Sequence, residues 1–272
     1  MGAKASKQVK VDDYNYEDEW VFGPSMRDHR SGCGVGMDKE RGRMVVIGES
    51  AGMMPPQKGE EMFFFCLTCA IEARKPRLTC LDTVEVLDME TMQWSMGPDM
   101  DERRCGFGVG VHEERKEMIV VGGLDGEGYD RRVLRSVEVL DLEEMEWKTG
   151  PDMITRREGC GVGVDEERGK VIVVGGAKEF FCGNPDGQSL RSVEVLDIET
   201  LKWKKGPAMK KQRWACGVGV DKVRGKMVVV GGRRGGYKTT RSVEVLDLNT
   251  MKWSKGPKMN ERGVVAPLLL MN

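Results

Sequence analysis

The chain has 272 residues, of which 32% are charged, yet the charges nearly cancel to a formal net charge of −1. That balance removes the global electrostatic case for a nucleic-acid partner. No run approaches the roughly eighteen consecutive apolar residues of a membrane span, and no apolar signal-peptide core follows the amino terminus, so a cytoplasmic protein is expected.

Met1-Gly2-Ala3-Lys4-Ala5-Ser6 matches the N-myristoylation pattern M-G-x-x-x-S, which makes Gly2 the candidate lipidation site on a polar tail over residues 1–8. The competing reading is an unmodified disordered tail. One myristoyl chain anchors only marginally, with a partition constant near ~10⁴ M⁻¹. Lys4, Lys7 and Lys10 would each add roughly 1 kcal/mol at an anionic leaflet, so weak, reversible peripheral membrane association is expected. Val9–Tyr14 reads as a poor strand. Glu19–Met26 carries Trp20 and then G-P-x-M at Gly23–Met26.

From there one phrase recurs. V-E-V-L-D stands at Val84–Asp88, Val137–Asp141, Val193–Asp197 and Val243–Asp247. A tryptophan follows each (Trp94, Trp147, Trp203, Trp253), with spacings of 53, 56 and 50 residues, and then G-P-x-M. A period near 50 marks a propeller blade or a solenoid unit. In the third copy, Cys160–Val164 alternates with period two, and its glycines leave one face bare for close approach. Lys170–Val174 is a β-branched run suited to a strand buried on both faces. Gly175-Gly176 ends it, a variable loop follows, and Ser192–Leu196 and Leu201–Lys205 supply two more strands. Cys33, Cys160 and Cys216 share one repeat position with Phe107 and Ala266, so they read as packing residues with reduced thiols.

The glycine pairs Gly122-Gly123, Gly175-Gly176 and Gly231-Gly232, the degenerate Gly48-Glu49, and the spaced tryptophans resemble the kelch-repeat β-propeller family. One departure is valine or isoleucine where that family has tyrosine before the glycine pair. The resemblance covers roughly residues 9–270 and implies an all-β, kelch-type β-propeller domain over 9–272, with a long apolar loop insertion at 49–82. Five blades are expected, four near-complete and one composite, joining the Trp20 segment to Gly263–Leu270. No sequence after Asn272 supplies that blade's second strand, so the blade is irregular or the chain is part of a longer propeller.

Antiparallel alternation puts the loops between strands two and three on the same face as the blade-to-blade connections. These loops vary widely (Glu49–Asp82, Leu124–Arg135, Ala177–Arg191, Arg233–Arg241), and variable loops on a rigid repeat are where recognition usually sits. Arg30, Arg104, Arg157 and Arg213 align in the connections, and Trp214 follows the last. Either these arginines present bidentate guanidinium groups to a partner, or each pairs with an acid of its blade or caps a turn. With Trp214, Phe63, Phe64 and Phe65 they form the candidate partner-binding set. The opposite face has Asp/Glu-rich turns, which read as solubilising.

Met62–Ile71 is densely apolar and contains Cys66-x-x-Cys69, with Cys80 beyond. Zinc would need a fourth ligand, and a redox motif would need a βαβ context; neither is visible, so no metal is expected. For catalysis, His29 and His112 fall in opposite loop classes, and no phosphate-binding glycine loop or G-x-S-x-G elbow is present. The reading is therefore a non-enzymatic scaffold or adaptor for a protein partner, without a cofactor. The alternative is a sugar epimerase-like or lactonase-like activity using arginine and glutamate of the central channel.

Overall fold

The computed structural model describes residues 23–28, 30, 32–48, 80–126, 131–179, 189–234 and 238–261, and no helix occurs among them. The first sheet comprises β1 (Gly34–Asp38), β2 (Arg43–Ile47), β3 (Val84–Asp88) and β4 (Gln93–Met96). The second starts with β5 (Gly108–His112) and β6 (Glu117–Val121). It resumes, after a small ribbon of β7 (Leu124–Asp125) and β8 (Arg132–Val133), with β9 (Val137–Asp141) and β10 (Glu146–Gly150). The third is β11 (Glu158–Asp165), β12 (Lys170–Ala177), β13 (Val193–Asp197) and β14 (Lys202–Gly206). The fourth has β15 (Gly217–Asp221) and β16 (Lys226–Val230), a ribbon of β17 (Arg233–Arg234) and β18 (Lys238–Thr239), then β19 (Val243–Asp247) and β20 (Lys252–Lys255).

Each sheet is antiparallel in chain order, apart from the ribbons. In the third, Val162 faces Val173, Val173 faces Glu194, and Glu194 faces Lys205. The innermost strands β1, β5, β11 and β15 stand side by side, so the sheets radiate from a common centre as blades of a β-propeller. The composite fifth blade expected from the termini lies outside the described residues.

The alternation of glycine and valine in the inner strands explains how the blades meet. A Cβ on Gly161 would lie 2.3 Å from Val218 Cγ2, one on Gly108 2.6 Å from Val162 Cγ2, and one on Gly34 2.5 Å from Val109 Cγ2. The bare side of each inner strand thus receives the valines of the next blade. The apolar cores lie between blades rather than within one: Ile119, Val121 and Val137 pack with Val162, Val171 and Leu196, and Ile172, Val174 and Val193 pack with Val218, Met227 and Leu246. No blade buries both of its faces alone, which is the reason for a repeating array.

Each tryptophan adds a polar tie. Nε1 of Trp94, Trp147, Trp203 and Trp253 donates to the carbonyl of Pro24, Pro98, Pro151 and Pro207, at 2.9, 2.8, 2.7 and 2.7 Å. Pro24 therefore meets the first blade as the later prolines meet theirs. Met100, Met153 and Met209 of the G-P-x-M segments are buried plugs.

The acidic turns opposite the variable loops are tied together rather than merely solvated. Lys39 and Lys222 both pair with Glu113 at 3.0 and 3.2 Å, Lys222 also reaches Glu166 at 3.0 Å, and Arg41 reaches Glu143 at 3.0 Å. This belt crosses blade boundaries at exposed positions, where each pair contributes about 0–1 kcal/mol.

Candidate functional site

The blade-to-blade connections and the ribbons share one face, as alternation requires. Isolated bridges join Leu81 to Arg104, Cys105 to Leu124, Ala177 to Ser189 and Trp214 to Arg233, knitting connections to variable loops.

The aligned arginines do not point outward. Arg104, Arg157 and Arg213 are completely buried, and the Arg30 side chain is too. Arg157 Nε and Nη2 donate to Glu194 Oε1 at 3.2 and 2.8 Å. Its Nη1 donates to the carbonyls of Gly175 (2.6 Å) and Ser192 (3.2 Å), and its Nη2 to Ser192 Oγ (2.9 Å). Arg104 treats Glu138, Gly122 and Ser136 the same way. Arg213 takes Glu244, Gly231 and Ser242, and Arg30 takes Glu85, Gly48 and Thr83. Each glutamate is that of V-E-V-L-D and also accepts a main-chain N–H after the preceding G-P-x-M, as from Ile154 (2.7 Å) and Lys210 (2.7 Å).

The backbone of the same arginine holds the blade before. Gly123 N donates to Arg157 O, and Gly176 N to Arg213 O, both at 2.8 Å. The approach is so close that a Cβ on Gly122 or Gly175 would fall 2.3 or 2.4 Å from that oxygen, and both have positive φ, 62° and 66°. Here the glycine pair is required twice, for space and for backbone conformation. One arginine therefore bonds two blades.

Of the two readings of Arg30, Arg104, Arg157 and Arg213, this geometry fits the one in which each pairs with an acid of its own blade. Apart from Arg213 Nε, the guanidinium donors named above reach acceptors inside the protein. His112 is likewise internal: it is buried, and its Nδ1 accepts from Arg115 N at 3.3 Å. Two hollows of about 280 and 340 Å³ lie at the outer strands, one lined by Arg43, Asp88 and Pro98, the other by Lys170, Asp197 and Pro207. Among the described residues no three His, Cys, Asp or Glu side chains gather to hold a metal. Burial pushes the Cys160 thiol up to about 12 and the Cys216 thiol up to about 11, as suits packing residues. Gly2, Lys4, Lys7, Lys10, Trp20, His29, Phe63, Phe64, Phe65, Cys66 and Cys69 lie outside the described residues.

The residues after Arg104, Arg157 and Arg213 are Cys105, Glu158 and Trp214, of which Cys105 is buried while Glu158 and Trp214 are half-buried on this face. Trp214 is half-buried, packs over Gly159 of the third blade, and carries the Arg233 guanidinium 5.1 Å from its ring centre. Lys210 and Lys211 lie just before it in the chain, Arg234 and Lys258 act on Lys211, and Lys238 faces Arg234 across the ribbon; none of these cations makes an ion pair among the described residues. Burial, with repulsion from Arg234, Arg213 and Lys258, holds the Lys211 ammonium below its ordinary range. The sequence signal for this corner is a departure between repeats: Asp101-Glu102 and Ile154-Thr155 after two G-P-x-M segments give way to Lys210-Lys211 after the third. Glu158 faces the same side; burial pushes its carboxyl up to about 7, with Arg131 acting in opposition.

A family model described as the KLHDC2/KLHL20/DRC7 Kelch-repeats domain matches residues 72–258. An F-box/kelch-repeat protein of Arabidopsis thaliana, At1g26930, is 33% identical over 132 residues, 48% of this chain and 29% of that protein. Alpha-scruin of Limulus polyphemus is 27% identical over 143 residues (53% and 15%). Kelch domain-containing protein 8B of Rattus norvegicus is 28% identical over 138 residues (48% and 37%). The chain spans well under half the length of each of these relatives. Four blades, each with its buried arginine on the glutamate of V-E-V-L-D, and a family-model match over most of the length place the chain in the kelch-repeat family.

Proposed function

We propose that the chain is a non-enzymatic protein-interaction scaffold that binds through its variable-loop face. Kelch domains generally bind protein partners, and a rigid ring with divergent loops suits that role. The observation that carries the proposal is the corner at Trp214: a half-buried aromatic ring beside Lys210, Lys211 and Arg234, cations without acidic partners among the described residues. Unneutralised like charges held together cost energy, which an acidic segment of a partner would relieve while steering its approach. Large aromatic and arginine side chains are also the commonest anchors of protein interfaces. Phe63, Phe64 and Phe65 belong to the proposed surface on the sequence pattern alone.

The test is a pull-down comparing the natural chain with Lys211→Glu/Arg234→Glu. A second charge reversal, Arg41→Glu on the opposite face, serves as control. Loss of specifically retained proteins in the first variant and retention in the second is expected; equal retention by both would refute the choice of face.

Acylation of Gly2 is part of the same proposal, supported by the Met1–Ser6 pattern and by Lys4, Lys7 and Lys10. Co-expression with an N-myristoyltransferase should add one myristoyl mass and weak liposome binding. Gly2→Ala should lose both.

A further inference from the structure

Two thiols face each other across the junction of the first two blades. Leu81 and Arg104 form an antiparallel bridge in which Arg104 N donates to Leu81 O at 3.1 Å. In that register the next facing pair is Cys80 and Cys105. Both main-chain groups of Cys105 turn the other way, to Leu124, at 3.0 and 2.7 Å. Cys80 and Cys105 are therefore a non-hydrogen-bonded cross-strand pair, whose side chains share a face at a Cα separation of about 4.5 Å. A disulfide requires roughly 4.4–6.8 Å. Both residues are buried, and they pack together with Leu124 and Val133. Neither is in a disulfide in the structure.

We propose that Cys80 and Cys105 form a reversible disulfide driven by a peroxide, a modification site that ties the long first loop to the connection between blades one and two. The hydrogen bond from the Cys105 thiol, with the charges of Arg131 and Arg103, holds the Cys80 thiol below its ordinary range against the effects of burial and of Asp125. Cys80 is thus the attacking sulfur. Its thiolate displaces one oxygen of the peroxide: an S–O bond forms, the O–O bond breaks, and the leaving hydroxide takes a proton to become water. Cys105 then attacks the resulting sulfenic acid: an S–S bond forms, the S–O bond breaks, and a second water leaves. Two electrons pass from the two thiols to the peroxide, and a dithiol reductant returns both. Cys160 and Cys216 provide the contrast: they also lie on adjoining blades, but burial raises both thiols, so they stay protonated.

The burial of the pair calls for a small uncharged oxidant. The experiment uses the full chain with hydrogen peroxide, alkylation of remaining thiols, and tryptic mapping without reduction. Cleavage after Arg77, Arg103, Arg104 and Arg115 places the two cysteines on separate peptides, so the bond is read directly. Expected is a Cys80–Cys105 cross-linked peptide that has lost two hydrogen atoms and is restored by dithiothreitol. Cys80→Ser and Cys105→Ser should each abolish it. The proposal is overturned if natural-sequence protein yields both residues alkylated, singly oxidised, or paired with another cysteine. Mapping the unsubstituted chain decides between these outcomes even if a serine variant fails to fold.

Discussion

Replacing Arg157 by methionine tests the idea that buried arginines hold the blades together. The change keeps most of the side-chain volume but removes every donor that reaches Glu194, Gly175 and Ser192. Glu194 is only 1% exposed, so its carboxylate would be left inside with one main-chain donor, Ile154 N. Removing one member of such a pair costs about 3–5 kcal/mol. At about 2 °C per kcal/mol for a domain of this size, the melting temperature should fall by roughly 6–10 °C. Arg157→Lys should be intermediate, since it keeps the charge and loses the fork. Arg157→Met/Glu194→Gln should recover about 1–3 kcal/mol relative to Arg157→Met, because no unpaired charge remains. An exposed pair serves as control: Arg224, with a side chain 78% exposed beside Asp221, should tolerate alanine within about 0.5 kcal/mol. Urea unfolding followed by tryptophan fluorescence measures all four variants. A cost below about 1 kcal/mol for Arg157→Met, or a double variant no more stable than Arg157→Met, would refute the reasoning.

Gly161→Ala should lower stability by about 1–3 kcal/mol, since the new methyl would overlap Val218 Cγ2; glycine to alanine in a strand ordinarily acts the other way, so the sign seen in urea melts is diagnostic. Glu158→Gln should matter only at higher pH. The folded carboxyl sits at about 7 against an ordinary 4.5, so the folded state binds more protons between those values and stability falls as pH rises through them. Because Glu158 keeps some solvent contact, the glutamine variant should gain about 1–2 kcal/mol at pH 8 and match the natural chain below pH 4.5; equal melting curves at both pH values would count against this account.

The blades are legible in the sequence because their signals are local and recur in phase. Cys160–Val164, an alternating pattern, lies inside β11, and the run Lys170–Val174 lies inside β12. The glycine pair is legible as the end of a strand, though not as the cradle of the next arginine's carbonyl. The arginines illustrate what a linear reading lacks. Arg157 and Glu194 are both visible, each in phase across four copies, but charged residues in repeats usually face water, and nothing local says that these face each other. V-E-V-L-D hides the same fact: its alternation suggests one wet face, whereas Glu85, Glu138, Glu194 and Glu244 are as buried as the valines beside them. Along the chain Cys80 groups with Cys66 and Cys69, its sequence neighbours; its facing residue, Cys105, lies on a connection with no strand pattern of its own. The Lys210–Lys211 corner needs the fold as well, because its cations come from three separate segments.

The backbone on either side of Cys105, Glu158 and Trp214 is pinned: the arginine before each is locked into its own blade, and Gly159 N and Ala215 N after two of them bond to Gly106 O and Gly159 O. The side chain between these anchors carries no part of the lock, and a thiol, a carboxyl and an indole all occupy it. These three blades thereby share a socket whose occupant can be rewritten by a single codon while the frame around it stays in place.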